Sequence, residues 1–408
     1  MTTPQPNTAC GTFFSVHKIE MFSQIFRIMA IVIMECFETI PSVARRRKRT
    51  RSMSFSSSSS SSSGEDDDDE QSLTALQALL LKQRCPHPFE EASSSTPEEE
   101  VSYSSYYTAS AVLGEGRFGT VFAALNTKTN TPCAIKWVPP RHHNGCNSLM
   151  REAEALHLVR PHPGFVHLQR YLLCGRELLL VLERCECDLV QHLRSQPKQG
   201  DGLPFAEIEN FLEDMLGALA FLHDTLEFVH RDLKPSNMLV AAVAGRRALK
   251  ISDLGTACPV SEIAGEGGHV CGTYTFCAPE FLLGMPDYGT AVDLWSAGVT
   301  LSVMLHNGGC FSQSESNTQF ETLICVFRVF GTPTEASWPG VATALPHFFP
   351  EFPRLAPAPK ELDFLFAPRR YRCDAAAALL SVLRGLLQPC PAHRLTAHKA
   401  LSLLRRRK

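Results

Sequence analysis

The sequence predicts an α+β fold with two lobes, a small strand-rich lobe followed by a larger helical lobe. Short apolar runs separated by turn residues dominate from about residue 107 to 183. Apolar residues at helical spacing dominate from about residue 187 to 404. The 408 residues are 44% hydrophobic and 20% charged, which is enough for a large core. Because the strands come first and the helices later, we expect a cleft between the two lobes.

Residues 1–101 differ from the rest of the chain and are predicted to be a largely disordered extension. Ser56 to Ser63 is a run of serine, and Glu65 to Glu70 is entirely acidic, so neither can bury apolar area. The apolar run Ile28 to Met34 is far shorter than the roughly 20 residues of a membrane span. The basic cluster Arg45 to Arg49 indicates the nucleus, the cytoplasm or both, although a solvated charge run is the alternative.

Charge and cysteine content exclude several function classes. The formal net charge of −3 gives no global field that favours nucleic acid or a membrane as a partner. The chain has 15 cysteines but no CxxC pair, which argues against a zinc ribbon or a thioredoxin-type motif. We therefore expect reduced, mostly buried thiols in an intracellular protein.

The first elements of the predicted globular region, residues 102–408, are strands with one helix among them. Apolar and β-branched composition between turn residues predicts the strands, and the helix follows the third of them. The predicted strands are Ala111–Leu113, Thr120–Ala124, Cys133–Val138 and Leu178–Glu183, and the predicted helix is Asn147–Val159.

Helices dominate the remainder of the chain. In Phe205–His223, apolar residues recur at the i, i+3, i+4, i+7 positions of one helix face. These residues are Ile208, Phe211, Leu212, Met215, Leu216, Leu219 and Leu222. Ala291–His306 and Asp374–Leu387 are predicted to be further helices.

A glycine-rich stretch lies between the first two predicted strands. Gly114, Gly116 and Gly119 form a GxGxxGxV pattern, in which the backbone can approach phosphates that side chains would block. The same glycine spacing occurs in dinucleotide-binding proteins, but there a helix follows directly. Here the β-branched run Thr120–Phe122 follows, which favours a strand–turn–strand loop over phosphates.

Lys136 ends the third predicted strand among apolar neighbours. Burying its ammonium group is costly unless a partner compensates. Phosphates and a helix glutamate would supply that compensation. Glu152 is the preferred partner, since Glu154 would lie on a different face of the predicted helix.

The loop His230–Asn237 brings together groups that phosphoryl transfer needs. Asp232 could accept a hydroxyl proton, Lys234 could steady the γ-phosphate and Asn237 could hold a metal ion. Asp253 follows sixteen residues after Asn237, in an Asp-Leu-Gly turn after the short strand Leu249–Ser252. Its carboxylate could hold Mg²⁺ between phosphates.

Two further segments follow these motifs, Ala278-Pro279-Glu280 and Asp293 to Gly298. Together they resemble the motifs of the eukaryotic protein kinases over about Tyr107–Leu404. The resemblance implies the protein-kinase fold, a serine/threonine protein kinase activity, protein substrates, and ATP and Mg²⁺ as cofactors. It assigns catalysis to Asp232 and Lys234 and metal binding to Asn237 and Asp253. It also implies a Glu280–Arg394 pair. The ATP-binding residues that it implies are Gly114, Gly116, Gly119, Val121, Ala134, Lys136, Glu152, Glu183 and Cys185.

Within the kinases, the chain resembles the cyclin-dependent group. Phe330–Val341 is similar to that group's GTPxxxxWPGV segment, and Ser148–Glu152 is a diverged relative of its cyclin-reading helix. The resemblance implies a cyclin or cyclin-like activator that binds the helix around Glu152.

Three departures from that group bear on regulation. Arg117-Phe118 replaces the inhibitory Thr-Tyr pair of the glycine loop, and Cys277 replaces an arginine that favours proline after the target serine. The stretch Ala264–Gly272 contains no residue that can be phosphorylated. We expect a carboxylate, Glu262 or Glu266, or a bound cyclin to replace the activating phosphate beside Arg231.

Two other interpretations remain at this point. A pseudokinase scaffold would be expected to lack Lys136, Asp232 or Asp253, and all three are present. A kinase of another, related group would differ from a cyclin-dependent kinase in not binding a cyclin.

Overall fold

A computed structural model describes most of the chain from residue 106 onward. The described residues are 84–85, 101–102, 106–116, 119–138, 145–174, 177–196, 203–265, 270–306, 311, 318–346, 352–366 and 376–405. The serine, acidic, apolar and basic runs of the first 101 residues lie outside them. The described residues fall into two compact units, one within residues 326–359 and the other made of the remaining described residues.

The strands of the described residues confirm a small β-rich lobe. The strands are β1 Arg84–Cys85, β2 Val101–Ser102, β3 Tyr107–Gly116, β4 Gly119–Asn126, β5 Thr131–Trp137, β6 Leu168–Cys174, β7 Glu177–Glu183, β8 Cys187–Asp188, β9 Phe228–Val229, β10 Met238–Val243, β11 Arg246–Ile251 and β12 Cys258–Pro259. A five-stranded antiparallel sheet has the order β3-β4-β5-β7-β6, and β8, β10 and β11 form a second sheet.

The two faces of the five-stranded sheet carry different kinds of side chain. Cys133, Ile135 and Trp137 alternate along β5 and join a core with residues of β3, β4, β6 and β7. Successive side chains of a strand point to opposite faces, so Ala134 and Lys136 lie on the other face. Both are buried there, at 7% and 5% exposure. The strand thus brings a lysine inside the protein without placing it in the apolar core.

The helical lobe and its neighbours confirm the α+β class. The described helices are α1 Gly145–Val159, α2 Leu189–Ser195, α3 Phe205–Ala220, α4 Pro279–Leu282, α5 Ala291–His306, α6 Gln319–Phe330, α7 Val341–Ala344, α8 Pro359–Phe366, α9 Ala376–Leu386 and α10 Ala397–Arg405. No helix in the described ranges is long and apolar enough to cross a membrane.

Helix α3 follows the predicted apolar face. Its predicted core residues from Ile208 to Leu219 are all buried. The α-helix ends at Ala220, three residues before the predicted end, and continues as the π-turn Phe221–Thr225. The extra residue of such a turn redirects the side chains that follow it. Here it precedes His223, whose ring reaches Asp293 of α5.

The unit that contains residues 326–359 is held by local polar contacts. Thr332 donates its hydroxyl to Pro353 O (2.7 Å). The Glu335 carboxylate accepts the N–H groups of Gly340 (2.7 Å) and Ala342 (2.9 Å) at the start of α7. Gly340 has a φ of 83°, which favours glycine. These contacts explain the Thr and Gly positions of the GTPxxxxWPGV-like segment.

Candidate active site

Lys136, Glu152 and Asp253 form one ion-pair cluster. Lys136 Nζ lies 2.9 and 2.8 Å from the two carboxylate oxygens of Glu152, on α1. It lies 2.7 Å from Asp253 Oδ1, at the start of the Leu254–Thr256 turn. The pairing of Lys136 with Glu152 rather than Glu154, as the sequence predicted, follows from the helix faces: Glu152 is 2% exposed and Glu154 is exposed.

Burial and charge act against each other in this cluster. Burial alone would lower the pKa of Lys136, but the carboxylates of Glu152 and Asp253 raise it above its ordinary value. Burial raises the pKa of Glu152 to about 7, and the neighbouring Lys136 only partly offsets this effect. For Asp253, the attraction of Lys136 outweighs burial and lowers the pKa. At neutral pH the cluster therefore holds a permanent cation and an ionised Asp253.

Asp232, Lys234 and Asn237 converge within the loop after β9. Lys234 Nζ donates to Asp232 Oδ2 (2.9 Å) and to Thr273 Oγ1 (2.8 Å). Asn237 Nδ2 donates to Asp232 O (2.9 Å) and to Asp232 Oδ2 (3.2 Å). The Thr273 N–H donates to Asp232 Oδ1 (3.0 Å). The Asp232 carboxylate is therefore oriented from three directions.

Asp293 holds the backbone that carries this loop. Its carboxylate accepts hydrogen bonds from the backbone N–H groups of His230 (2.7 Å) and Arg231 (2.9 Å). It also forms a hydrogen bond of 2.8 Å with the ring nitrogen Nε2 of His223. Burial would raise the pKa of Asp293, but the hydrogen bond from His223 and the nearby histidines lower it. The sequence showed Asp293 as the first residue of a kinase-like segment but did not reveal these contacts, because its partners lie 62 to 70 residues away.

Asn237 and Asp253 lie at adjacent positions of one hairpin. Met238 of β10 pairs with Ile251 of β11, and Ser252 donates its N–H to Asn237 O (2.9 Å). An amide oxygen and a carboxylate suit Mg²⁺, which takes few protein ligands when phosphates complete its shell. Among the described residues there is no group of three or more His, Cys, Asp or Glu side chains that could hold a metal alone. The donor set fits a phosphate-bound Mg²⁺.

The predicted phosphate-binding glycines line the β3–β4 hairpin. Gly114 pairs with Val121, and Gly116 pairs with Gly119. A Cβ on Gly114 or Gly116 would meet no atom within 4 Å, so space remains beside them for a ligand. Gly119 has a φ of 108°, and its Cβ would lie 2.7 Å from Val138 Cγ2. Gly119 is therefore the glycine that the backbone itself requires.

The other predicted ATP-binding residues lie beside the Lys136–Glu152–Asp253 cluster but are not part of it. Val121 pairs with Lys136, and Ala134 pairs with Leu182 across β5 and β7. Glu183 is three residues along β7 from the partner of Lys136, which is about 10 Å. Its carboxylate accepts a hydrogen bond from Lys250 Nζ (2.7 Å), so an adenine would meet its backbone rather than its side chain.

Cys185 follows at the end of this segment. Its thiol is buried, and burial followed by the charge of Glu183 raises its pKa to about 12. The thiol therefore stays protonated and unreactive. Cys185 can therefore contact a ligand only through its backbone and its neutral side chain, and Glu183 only through its backbone.

Cys277 and Gly272 shape the segment that follows the loop. The Cys277 thiol lies within hydrogen-bond distance of two carbonyl oxygens, Thr273 O (3.4 Å) and Cys271 O (3.6 Å), and burial raises its pKa well above its ordinary value. Gly272 has a φ of 84°, and its Cβ would lie 2.9 Å from Asp232 Oδ1. Only a glycine allows the segment to pass this close to Asp232.

Comparison with known proteins agrees with this geometry. A model of the protein kinase domain matches residues 107–403 of the chain. The cyclin-dependent kinase 2 of Caenorhabditis elegans is 32% identical over 292 residues, which are 71% of this chain and 75% of that protein.

Proposed function

Since this chain belongs to the protein kinase family and is similar to the cyclin-dependent kinases, we propose that it transfers the ATP γ-phosphate to serine and threonine hydroxyls of proteins. Protein kinases of this kind use ATP and Mg²⁺. The observation that carries the proposal is the cluster in which Lys136 contacts both Glu152 and Asp253 at 2.7 to 2.9 Å. A pseudokinase would not need this arrangement.

The proposed mechanism assigns each charge in the site a separate task. Lys136 binds the α- and β-phosphates, and Glu152 holds the lysine in place from α1. Asn237 and Asp253 would hold Mg²⁺, which would supply positive charge to offset that of the phosphates. Asp232 accepts the proton of the substrate hydroxyl, in the orientation that Asn237 and Thr273 impose.

The neighbour of Asp232 supports a serine or threonine acceptor. Lys234 lies 2.9 Å from Asp232 and can approach the transferred phosphate from the side of the substrate. A lysine two positions after the aspartate is the choice of serine/threonine kinases, and we assign Lys234 that role here. Catalysis would then rest on positioning and on charge stabilisation.

We further propose that a cyclin or cyclin-like activator binds α1. The helix buries Leu149, Glu152 and Leu156, whereas Met150 is 51% exposed and Leu158 is 43% exposed. Exposed apolar side chains on the helix that carries Glu152 would let a partner set the position of Glu152. The basic cluster Arg45–Arg49 supports residence in the nucleus, the cytoplasm or both.

A peptide-library assay tests the proposed activity. The full chain, alone and with each of a panel of cyclins, is given Mg²⁺, ATP and degenerate peptides that offer Ser, Thr or Tyr. We expect phosphate on Ser and Thr, with a large increase in rate when one cyclin is present. Phosphate on Tyr would contradict the acceptor class, and ATP binding without transfer under all conditions would indicate a pseudokinase.

Variants of α1 test the proposed partner surface. Met150→Asp should abolish capture of the activating cyclin and leave the fold intact, because the side chain is exposed. The control is Val243→Asp, which changes a 39% exposed residue of β10. Activity that needs no partner, or equal capture by both variants, would favour a kinase of a related group.

A further inference from the structure

The Arg231 side chain joins three parts of the helical lobe. Its Nε donates to Thr256 O (2.7 Å), and its Nη1 donates to the Tyr288 hydroxyl (3.2 Å). Thr256 ends the turn that begins at Asp253, and its own hydroxyl donates to His230 O (2.8 Å). Arg231 therefore connects the loop of Asp232 to the start of the following segment and to Tyr288.

Tyr288 is anchored firmly enough to hold a partner. It is 5% exposed, and its ring centroid lies 4.7 Å from that of Phe281 on α4. Phe281 directly follows Glu280, which is paired with the buried Arg394. Burial, only partly offset by Arg231, raises the pKa of Tyr288, so its hydroxyl remains neutral. The hydroxyl is thus a fixed hydrogen-bond acceptor for Arg231.

The Arg231 backbone is strained and coupled to the site. Its φ of 70° lies in the left-handed region, which a non-glycine residue keeps only when its surroundings hold it. Asp293 holds its N–H, and a Cβ on Gly272 would lie 2.7 Å from Arg231 O. A shift of Arg231 would therefore move both the adjacent Asp232 and the segment around Gly272.

The segment after Asp253 lacks the residue that would ordinarily pair with Arg231. A phosphate on the segment would ordinarily pair with such an arginine and order the segment. Ala264–Gly272 has no residue that can carry one. Of the two carboxylates expected to replace the phosphate, Glu262 is exposed and Glu266 lies outside the described residues.

We propose that Tyr288 is a positioning residue for phosphotransfer. Its hydroxyl holds Arg231, and through Arg231 it holds Asp232 and the segment after Asp253, without a phosphate on that segment. This proposal rests on the proposed function, in which Asp232 accepts the substrate proton.

Tyr288→Phe tests the proposal, because it removes the hydroxyl and keeps the ring packed on Phe281. We expect kcat to fall about tenfold, which is the scale of one hydrogen bond to a charged group, with KM for ATP within about twofold of wild type. The control is Tyr171→Phe, in which the hydroxyl belongs to a side chain 57% exposed on β6, and its kcat should not change. A wild-type kcat in Tyr288→Phe would overturn the proposal.

A double-mutant cycle shows whether the hydroxyl acts through Arg231. In an Arg231→Met background, Tyr288→Phe should lower kcat by less than about twofold, because the partner is already missing. Equal effects of Tyr288→Phe in both backgrounds would mean a general structural role and would refute the positioning role.

Phosphatase treatment distinguishes the effect of the Tyr288 hydroxyl from the effect of a phosphate on the segment. The treated wild-type kinase should keep its activity, and mass spectrometry should find Tyr288 unmodified. A large loss of activity traced to a phosphate on the segment or on Tyr288 would contradict the proposal. If the wild-type chain is inactive, the proposed function fails first. Hydrogen exchange still tests the contact in that case, because the backbone amides of residues 254–265 should exchange faster in Tyr288→Phe than in the wild type.

Discussion

Glu280 and Arg394 are 114 residues apart in the sequence and form a buried, two-pronged ion pair. Arg394 Nη1 lies 2.6 Å from Oε1 of Glu280, and Nη2 lies 3.0 Å from Oε2. Arg394 also donates to Ala291 O at the start of α5 (2.6 Å) and to Gln388 O (2.9 and 3.0 Å). One guanidinium group thus fixes α4, the start of α5 and the segment before α10 relative to one another.

Removing this arginine should destabilise the protein strongly. Arg394→Ala leaves the Glu280 carboxylate buried without its partner, which costs about 3–5 kcal/mol of unfolding free energy. The matched control is Arg246→Ala, which breaks an exposed two-pronged pair with Asp214 and should cost about 1 kcal/mol or less. Urea denaturation of both variants measures the difference, and equal losses would contradict the structural role of the buried pair.

The sequence was most informative where the residues of a motif lie close together and carry charges that need partners. Asp232, Lys234 and Asn237 lie within six residues, and their contacts follow from that spacing. The Lys136–Glu152 pair was predictable because a buried cation needs a partner and one face of the helix offers a glutamate. The Glu280–Arg394 pair came from the kinase resemblance, since nothing in the spacing predicts a contact across 114 residues.

Other parts of the fold and site gave no usable local signal. Strand β6 at the sheet edge carries the adjacent polar residues Gln169 and Arg170, which interrupt its apolar pattern. The bond between Lys250 and Glu183 joins residues 67 apart, and the bond between Arg231 and Tyr288 joins residues 57 apart. Such contacts depend on packing between distant elements, and a single sequence does not encode them in any short pattern.

The activity should fall as the pH is lowered through about 7. Burial raises the pKa of Glu152 to about 7, so its carboxylate is ionised above this pH and protonated below it. Protonated Glu152 no longer balances the charge of Lys136. At pH 6 about one tenth of Glu152 is ionised, and we expect kcat/KM for ATP to fall about fivefold to tenfold from its value at pH 8.

A pH–rate profile of two variants identifies the responsible group. Glu154→Gln changes an exposed residue of the same helix and should keep the wild-type profile. Glu152→Gln should have low activity and lack the decline near pH 7. A flat wild-type profile between pH 6 and pH 8 would refute the assignment of this titration to Glu152.

The kinase should have only a weak demand for proline after the target serine. Cys277 occupies the position of the arginine that favours proline, and a thiol cannot supply the hydrogen bonds of a guanidinium group. Cys277→Arg should increase the selectivity for proline in a peptide library, with Cys325→Ser as a control for the loss of a buried thiol elsewhere. A strong proline requirement in the wild-type kinase would defeat this prediction.

Asp232→Asn should lower kcat by about 10²- to 10⁴-fold, which is the usual contribution of a positioned acid–base group. The asparagine keeps the shape of the side chain and can still contact Lys234 and Asn237. We therefore expect an unchanged melting temperature and an ATP dissociation constant close to that of the wild type. A kcat within about tenfold of wild type would show that Asp232 is not the proton acceptor.

The Asp253→Asn variant tests whether phosphotransfer depends on the metal site beside Lys136. Asp253 joins Lys136 to the proposed metal site, and replacing its carboxylate by an amide removes one negative charge from the Mg²⁺ ligands. The measurement is phosphotransfer by the folded, partner-bound variant beside Asp363→Asn, a control on the exposed face of α8. We expect no detectable transfer by Asp253→Asn and wild-type transfer by Asp363→Asn. A soluble Asp253→Asn protein with wild-type turnover would show that phosphotransfer does not depend on this carboxylate.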